Sequence, residues 1–301
     1  MSVENRRWLQ LAFQVRGSVL LAVLPRSLFC GFFGLLIKGL FDAKYPVSLP
    51  FLASLIPNIV LGLLLVFRTN TAYDRFWEGR KVWGSMVNTV RNLARQILIA
   101  VDEKESNDRQ EKIDAIYLLV AFAIATKLHL RDEPINPEIK DFLSPDRYIK
   151  LQSMNNPPLK VAFWIGDYLQ LQYQRDRLNI YQLTSMHILL NKLVDVLGSC
   201  ERIVKTPMPL AYAIHLKQLL LLYCLSLPFQ MVGQLGWWTA PVVVLISFTL
   251  FGIEEIGIEI ENPFGHHHND LPLDAICSTM RRNIDDLTSL NPSVHSEEIS
   301  F

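Results

Sequence analysis

Cysteine is scarce in this chain and forms no recognisable framework. Four cysteines occur among 301 residues, at positions 30, 200, 224 and 277, and they contain no CxxC pair. Neither a disulfide framework nor a zinc site with the usual ligand spacing is therefore indicated. An excess of charge of one sign is also lacking, because 29 basic residues balance 29 acidic ones. This balance argues against nucleic acid as a partner.

Common catalytic motifs are lacking as well. The sequence contains no HExxH, GxSxG or P-loop pattern. No candidate nucleophile lies at a sequence spacing from His215 or Glu201 that would indicate a catalytic site. A metal-dependent membrane enzyme, built from the histidine-rich segment 266–268 and nearby glutamates, is therefore only a remote alternative. We expect no catalytic residues and no cofactor.

Long apolar runs, in contrast, are abundant. Half of the residues are hydrophobic and the mean hydropathy is +0.21, which is typical of a membrane part joined to a sizeable water-facing part. A helix needs about 20 mostly apolar residues to cross about 30 Å of hydrocarbon. We predict one unit over 1–301 with four spans, at about 17–40, 48–67, 210–233 and 238–257.

Two details of this assignment need a physical reason. Arg26 interrupts the first span, and an arginine at that depth must snorkel or face protein or water. The apolar run at 113–130 resembles a fifth span, but Asp114, Lys127 and His129 bound it. We therefore predict a buried helix there. Residues 132–160 contain five prolines, which favour a loop-rich link.

Basic residues indicate the orientation. The short connections at about 41–47 and 234–238 hold only Lys44, with Lys38 nearby. The positive-inside rule then places both termini and the regions 68–209 and 258–301 in the cytoplasm. The first apolar stretch lacks a small-residue cleavage site, so we expect no cleavable signal peptide. The expected location is the cell inner membrane or a thylakoid-type membrane.

Three stretches resemble the bestrophin family, including its prokaryotic and plastid branches. They are FRTNTAYDRFWEGR at 67–80, CERIVKTPMPLAY at 200–212, and IENPFG at 260–265 with NDLPLD at 269–274. Their order and their position relative to the spans match the family over essentially the whole chain. The resemblance implies an all-α membrane protein with a helical cytoplasmic region, assembled as a homopentamer around one central pore. It implies a passive channel in membrane lipid for chloride and similar monovalent anions.

The resemblance also implies a narrow hydrophobic neck lined by the second span. Pore-facing residues on a helix recur every four positions. Counting back from the first motif places the neck at Leu52, Ile56 and Val60, with Ile59 and Leu63 as register alternatives. Family members usually carry an aromatic ring in the neck, whereas the three chosen positions are all aliphatic.

A second constriction, the cytoplasmic aperture, falls by resemblance at Thr206 or Met208. Two prolines in Thr-Pro-Met-Pro prevent regular helix there, and unpaired backbone groups are tolerable where they line water. The alternative is a plain helix start with Thr206 as its N-cap.

The third motif corresponds to the calcium clasp of the animal bestrophins. Asn262 and Asp270 match it, but His266, His267 and His268 stand where acidic residues are expected. Calcium prefers oxygen ligands, so we expect no metal at the degenerate clasp positions Asn262, His267 and Asp270. A solvated loop is the simpler interpretation of the histidine run, although adjacent histidines can bind transition metals or titrate near neutral pH.

An acidic cluster near the end of the fourth span leaves one alternative open. Glu254, Glu255, Glu259 and Glu261 are typical of a helix end that leaves the membrane. They could also set the ion preference at the inner mouth, and some prokaryotic family members conduct cations. A sodium-conducting channel of the same fold is therefore the main alternative to an anion channel.

Overall fold

The structure, a computed structural model, describes residue 10 and residues 13–52 and 55–290. Within these residues the chain is helical and has no strand, which confirms the predicted all-α fold. From residue 13 onwards the α-helices are α1 Leu20–Asp42, α2 Leu55–Ala100, α3 Asp108–Leu130, α4 Pro145–Gln152, α5 Pro157–Gln174, α6 Ile180–Lys205, α7 Leu210–Leu235, α8 Thr239–Glu259 and α9 Leu273–Thr288. Short 3₁₀ helices lie at Pro50–Leu52, Pro137–Phe142 and Gly236–Trp238.

The chain divides into two compact units, each made from two separate segments. The first unit comprises residues 1–76 and 207–270, and the second comprises 77–206 and 271–301. The first unit therefore contains α1, the beginning of α2, α7 and α8. The second contains the rest of α2, helices α3–α6, and α9.

In the first unit, α1 packs along α8 and α7. Glycines allow the close approach of α1 to α8. A Cβ atom added to Gly31 would overlap the side chain of Val244, and one added to Gly34 would lie 3.4 Å from the Ala240 Cα atom. Small residues bring helix backbones together in this way in membranes, where packing replaces the hydrophobic effect.

Helix α2 is unusually long. It has 46 residues, which corresponds to about 69 Å at 1.5 Å per residue. It begins at Leu55, so Pro57 falls in the first turn, where a missing backbone N–H is tolerated. The predicted second span covers only its first thirteen residues, and the helix continues without interruption to Ala100.

Helix α3 forms the core of the second unit, in contact with α5, α9 and α6. Most of its side chains from Ala115 to Leu130 are buried. The charged groups at its two ends are paired inside the unit: the Lys112 ammonium lies 2.6 Å from the Glu103 carboxylate, and the Lys127 ammonium lies 2.6 Å from that of Glu138. The apolar side chains of residues 113–130 are therefore mostly buried against other helices of the second unit.

Three segments of the described chain are long and apolar enough to span a membrane. They are Leu20–Asp42, Asp108–Leu130 and Leu210–Glu259, and the last contains both α7 and α8. Of the most apolar window in Asp108–Leu130, 78% is buried within the protein, against 33% in each of the other two segments. This difference supports the interpretation of α3 as a core helix rather than a span.

The predicted loop-rich link at 132–160 is wrong in detail, because much of it is helical. Its prolines occupy helix starts: Pro137, Pro145 and Pro157 each follow an Asn or Ser residue whose side chain accepts a hydrogen bond from the first turn. Proline is favoured at the first helical position because its N–H group would have no partner there.

Candidate functional site

The predicted neck residues lie at the beginning of α2. Ile56, Ile59, Val60 and Leu63 are all on the helix, and their side chains are largely exposed in the single chain. Leu52 lies in the 3₁₀ helix before α2, so the four-residue α-helical spacing does not extend to it.

The burial pattern of α2 distinguishes the faces of this apolar segment. Leu61 and Leu65 are buried in the core of the first unit. At about 100° per residue, Leu63 lies about 160° around the helix axis from each of them, on the opposite face. Ile56 and Ile59 lie within about 40° of Leu63 around the helix axis, whereas Val60 lies to the side, about 60° away. The face opposite the core therefore centres on Leu63.

All three sequence motifs meet at Glu261 in the first unit. Arg68 of the first motif places its guanidinium 2.7 Å from the Glu261 carboxylate. The backbone N–H of Met208, from the second motif, donates to the other carboxylate oxygen over 2.8 Å. The Arg75 Nε–H donates to the Glu261 backbone oxygen over 3.1 Å. Glu261 therefore joins the first half of α2, the segment before α7 and the segment after α8.

This carboxylate lies in an environment that favours its ionised form. Burial would raise the pKa of Glu261, but the Met208 N–H and the Arg68 and Arg75 guanidinium groups outweigh burial and hold that pKa below its usual range. The Arg68 side chain is buried, and its other terminal nitrogen lies 3.1 Å from the Met208 sulfur. A Cβ atom on Gly257 would approach Arg68 Cγ to 3.3 Å, so this glycine leaves room for the arginine.

The two aperture candidates have different local roles. Thr206 is the C-terminal cap of α6, and its hydroxyl donates to the Arg202 carbonyl oxygen. The alternative that Thr206 is the N-cap of α7 is therefore wrong, because Pro209 occupies that position. Met208 is held by Glu261 and Arg68, as described above. The Tyr212 hydroxyl in the first turn of α7 donates to the Leu64 carbonyl oxygen over 2.8 Å, which connects this helix start to α2.

The loop at 262–270 closes on itself. The Asn262 side-chain oxygen accepts from the Phe264 N–H over 3.3 Å, and the Asp270 carboxylate accepts from the His267 N–H over 2.8 Å. A Cβ atom on Gly265 would lie 2.7 Å from the same carboxylate. Among the described residues, no group of three or more His, Cys, Asp and Glu side chains is arranged to hold a metal. That calcium is not bound here stays a prediction.

The N-terminal segment lies against this loop. The Arg16 Nε–H donates to the ring nitrogen Nε2 of His268 over 3.0 Å. The Asn269 amide donates to the Gly17 carbonyl oxygen over 3.3 Å and to the Glu259 carboxylate over 2.6 Å. The predicted solvated loop does not include the contact between Arg16 and His268, since these two residues are 252 positions apart in the sequence.

The acidic cluster is internally paired. Glu254 contacts Lys217 and Glu255 contacts Arg26, each over 2.7 Å. Glu259 accepts from Asn269, and Glu261 pairs with Arg68. These contacts show that the arginine interrupting the first span faces a carboxylate in the protein, one of the possibilities left open above.

Known proteins similar to this chain identify its family. The model of the Bacterial/Fungal Bestrophin protein matches residues 1–286. A voltage-dependent anion channel-forming protein of Nostoc sp. is 68% identical over 99% of this chain and 97% of its own length. A protein of the same description from Synechocystis sp. is 57% identical over 97% of this chain and 95% of its own.

Solved structures agree with this assignment. A bacterial bestrophin homologue from Klebsiella pneumoniae, crystallised with a Y211A substitution (its own numbering), has a TM-score of 0.81 at 28% identity, covering 89% of this chain and all of its own. The structure of that homologue from Zn-SAD phasing has a TM-score of 0.79 at 29% identity, covering 91% of this chain and all of its own. The family model, the sequence relatives and the fold therefore agree, and the chain belongs to the bestrophin family.

Proposed function

We propose that the protein is an anion channel of the membrane, through which chloride and similar monovalent anions cross passively. The observation that carries this proposal is the match over nearly the whole chain to relatives described as anion channel-forming proteins. The fold supports it, because the first turns of α2 present an apolar face away from the core of the unit. The family and these relatives also favour a channel over an enzyme.

The neck of this channel is proposed to use the Ile59–Leu63 register. Ile59 and Leu63 both lie on the face opposite the core, whereas only Ile56 of the other register does so: Leu52 lies outside α2, and Val60 lies to the side of that face. The same spacing continues to Phe67, whose side chain is exposed. This register therefore supplies the aromatic ring that the resemblance implies.

A neck of this kind favours weakly hydrated anions. Apolar walls replace few of the hydrogen bonds of water, so ions that release their water cheaply pass more easily. The sodium-channel alternative would use the acidic cluster at the inner mouth. That use is disfavoured because Glu254, Glu255, Glu259 and Glu261 each have a partner within the first unit.

Five copies are proposed to surround one pore in a cell inner membrane or a thylakoid-type membrane. Both termini of each copy are proposed to lie on the cytoplasmic side. The exposed apolar residues at the start of α2 support assembly, because a neck needs identical faces from neighbouring copies. Mass measurement of the purified, detergent-solubilised protein tests the number of copies: a pentamer is expected, and a stable monomer or dimer would contradict a shared pore. Current carried by chloride across a planar bilayer tests the function.

A further inference from the structure

A cavity of about 530 Å³ lies among α1, α7 and α8 in the first unit. Its wall is mainly apolar, with Phe29, Leu220, Leu221 and Phe251 among the lining residues. Arg26, Lys217 and Glu254 also line it. Charged side chains within spanning segments are costly and are retained where they serve a partner, so this combination calls for an explanation.

The two cations of the cavity are exposed, whereas their carboxylate partners are not. Arg26 pairs with Glu255 over 2.7 Å, with side-chain exposures of 50% and 14%. Lys217 pairs with Glu254 over 2.7 Å, with exposures of 53% and 5%. The two less exposed glutamates therefore partly neutralise the positive charges, while the Arg26 guanidinium and the Lys217 ammonium remain accessible to a further ligand. Such a ligand would meet positive charge first.

The position of these charges along the helices fits the depth of a lipid headgroup. Arg26 and Lys217 each lie about two turns from the start of their helices, and Glu254 lies more than one turn before the end of α8. Two turns correspond to about 10 Å along the helix axis. The three helices have 21 to 26 residues, enough to cross the hydrocarbon core, so these charges lie near one edge of that core. Basic pockets at this depth between membrane helices suit phosphate headgroups.

We propose that this cavity binds an anionic phospholipid, with its phosphate at Arg26 and Lys217 and an acyl chain along the apolar wall. Both exposed charges are positive, so the site complements a phosphate, while a headgroup ammonium would find the carboxylates already covered. A free phosphate ion would leave the apolar wall uncovered. The cavity volume falls within the range that accommodates a drug-sized or partial lipid ligand.

The test uses the purified full-length protein in detergent and measures lipid adducts by native mass spectrometry. Phosphatidylglycerol and phosphatidylcholine with identical acyl chains are added separately after delipidation. The expected result is tighter retention of phosphatidylglycerol by about tenfold, equivalent to about 1.4 kcal/mol. Neutralising both pairs, with Arg26→Gln, Glu255→Gln, Lys217→Gln and Glu254→Gln, should abolish that preference without leaving a buried charge unpaired.

A matched control neutralises an ion pair elsewhere on α1. Lys38 and Asp42 form an i, i+4 pair near the end of that helix and do not line the cavity. Lys38→Gln with Asp42→Asn should leave the lipid preference unchanged. As a steric test, Leu221→Trp should fill the cavity with all four charges retained, and it should also reduce phosphatidylglycerol binding.

Three results would overturn the proposal. The first is an unchanged lipid preference in the neutralised protein together with unchanged phosphatidylglycerol binding in the Leu221→Trp protein. The second is a loss of the phosphatidylglycerol preference in the Lys38→Gln, Asp42→Asn control that equals the loss in the neutralised protein. The third is displacement of the lipid by glycerol 3-phosphate at equal concentration, which would indicate a headgroup site without an acyl-chain groove. Because lipid retention is measured without ion flux, its failure is separate from failure of the proposed conduction.

Discussion

Arg68 and Glu261 form an ion pair of 2.7 Å that joins two sequence motifs 193 positions apart. The arginine follows the apolar beginning of α2, and the glutamate follows α8. The same carboxylate holds the backbone N–H of Met208. One partly buried charge pair therefore connects a candidate constriction residue to the helix that carries the proposed neck.

Removing this carboxylate should destabilise the protein. Glu261→Gln leaves the buried Arg68 guanidinium without this charged partner. Loss of one member of a fully buried pair costs about 3 to 5 kcal/mol, and the cost here should be smaller, because the Glu261 side chain is partly exposed. Thermal unfolding of the detergent-solubilised protein should therefore show a clearly lower midpoint. Adding Arg68→Met to Glu261→Gln should recover part of the loss, because the unpaired charge is then gone.

An exposed ion pair provides the control for this prediction. Arg202 and Glu78 lie 2.8 Å apart, and both side chains are exposed. Exposed pairs contribute about 0 to 1 kcal/mol, so Glu78→Gln should change the midpoint little. Equal destabilisation by the two glutamate substitutions would contradict a special role for Glu261.

Acid should weaken the same connection. The Met208 N–H and the two arginines hold the pKa of Glu261 below its usual range, so the group adds stability above the pKa it has in the unfolded chain. That contribution is lost as pH falls through the lowered folded-state pKa. Comparing thermal midpoints of the wild-type and Glu261→Gln proteins across the acidic range checks this, since their difference should shrink with falling pH. A difference in thermal midpoint that stays constant with pH would show that the charge of the Glu261 carboxylate does not contribute to stability.

Some of these features follow from local sequence signals. Pro209 precedes α7, and Gly236 ends it with a positive φ of 53°, a backbone conformation that favours glycine. The predicted turn at 234–238 overlaps the short 3₁₀ helix Gly236–Trp238. The apolar run that became α3 was also predicted to be buried, because charged residues bound it.

Other features could not be predicted, since their determinants are far apart in the chain. Arg26 and Glu255 are 229 positions apart, and neither local pattern specifies the other as its partner. The boundary of α2 was also not predictable: the uncharged run begins at Ser48, but the helix begins at Leu55 and Leu52 lies in the 3₁₀ helix before it. The orientation of α2 required the burial of Leu61 and Leu65, which periodicity within a wholly apolar segment does not reveal.

The neck register can be tested by paired substitutions. Ile59→Ala with Leu63→Ala should widen and wet the proposed constriction, because two apolar rings lose bulk, and should raise the single-channel conductance. Ile56→Ala with Val60→Ala on the same helix is the comparison pair and should have the smaller effect, because only Ile56 of that pair lies on the face centred on Leu63. If the control pair raises conductance and the first pair does not, the neck lies at Ile56 and Val60 instead.

Calcium should not be required for opening. His266, His267 and His268 replace the acidic ligands of the animal clasp, and the Asp270 carboxylate accepts from the His267 N–H. Currents from the reconstituted protein should therefore persist when a calcium chelator is added to both chambers. Current that disappears on chelation and returns with calcium would show that this loop binds the ion after all.

The reversal potential under a salt gradient tests anion conduction most directly. With a tenfold gradient of potassium chloride across a planar bilayer holding the purified protein, a monovalent ion that carries all the current sets a reversal potential about 59 mV from zero. An anion channel shifts the reversal potential toward the chloride equilibrium value. A shift of the opposite sign, toward the potassium value, would contradict the proposed function and establish a cation channel on the same fold.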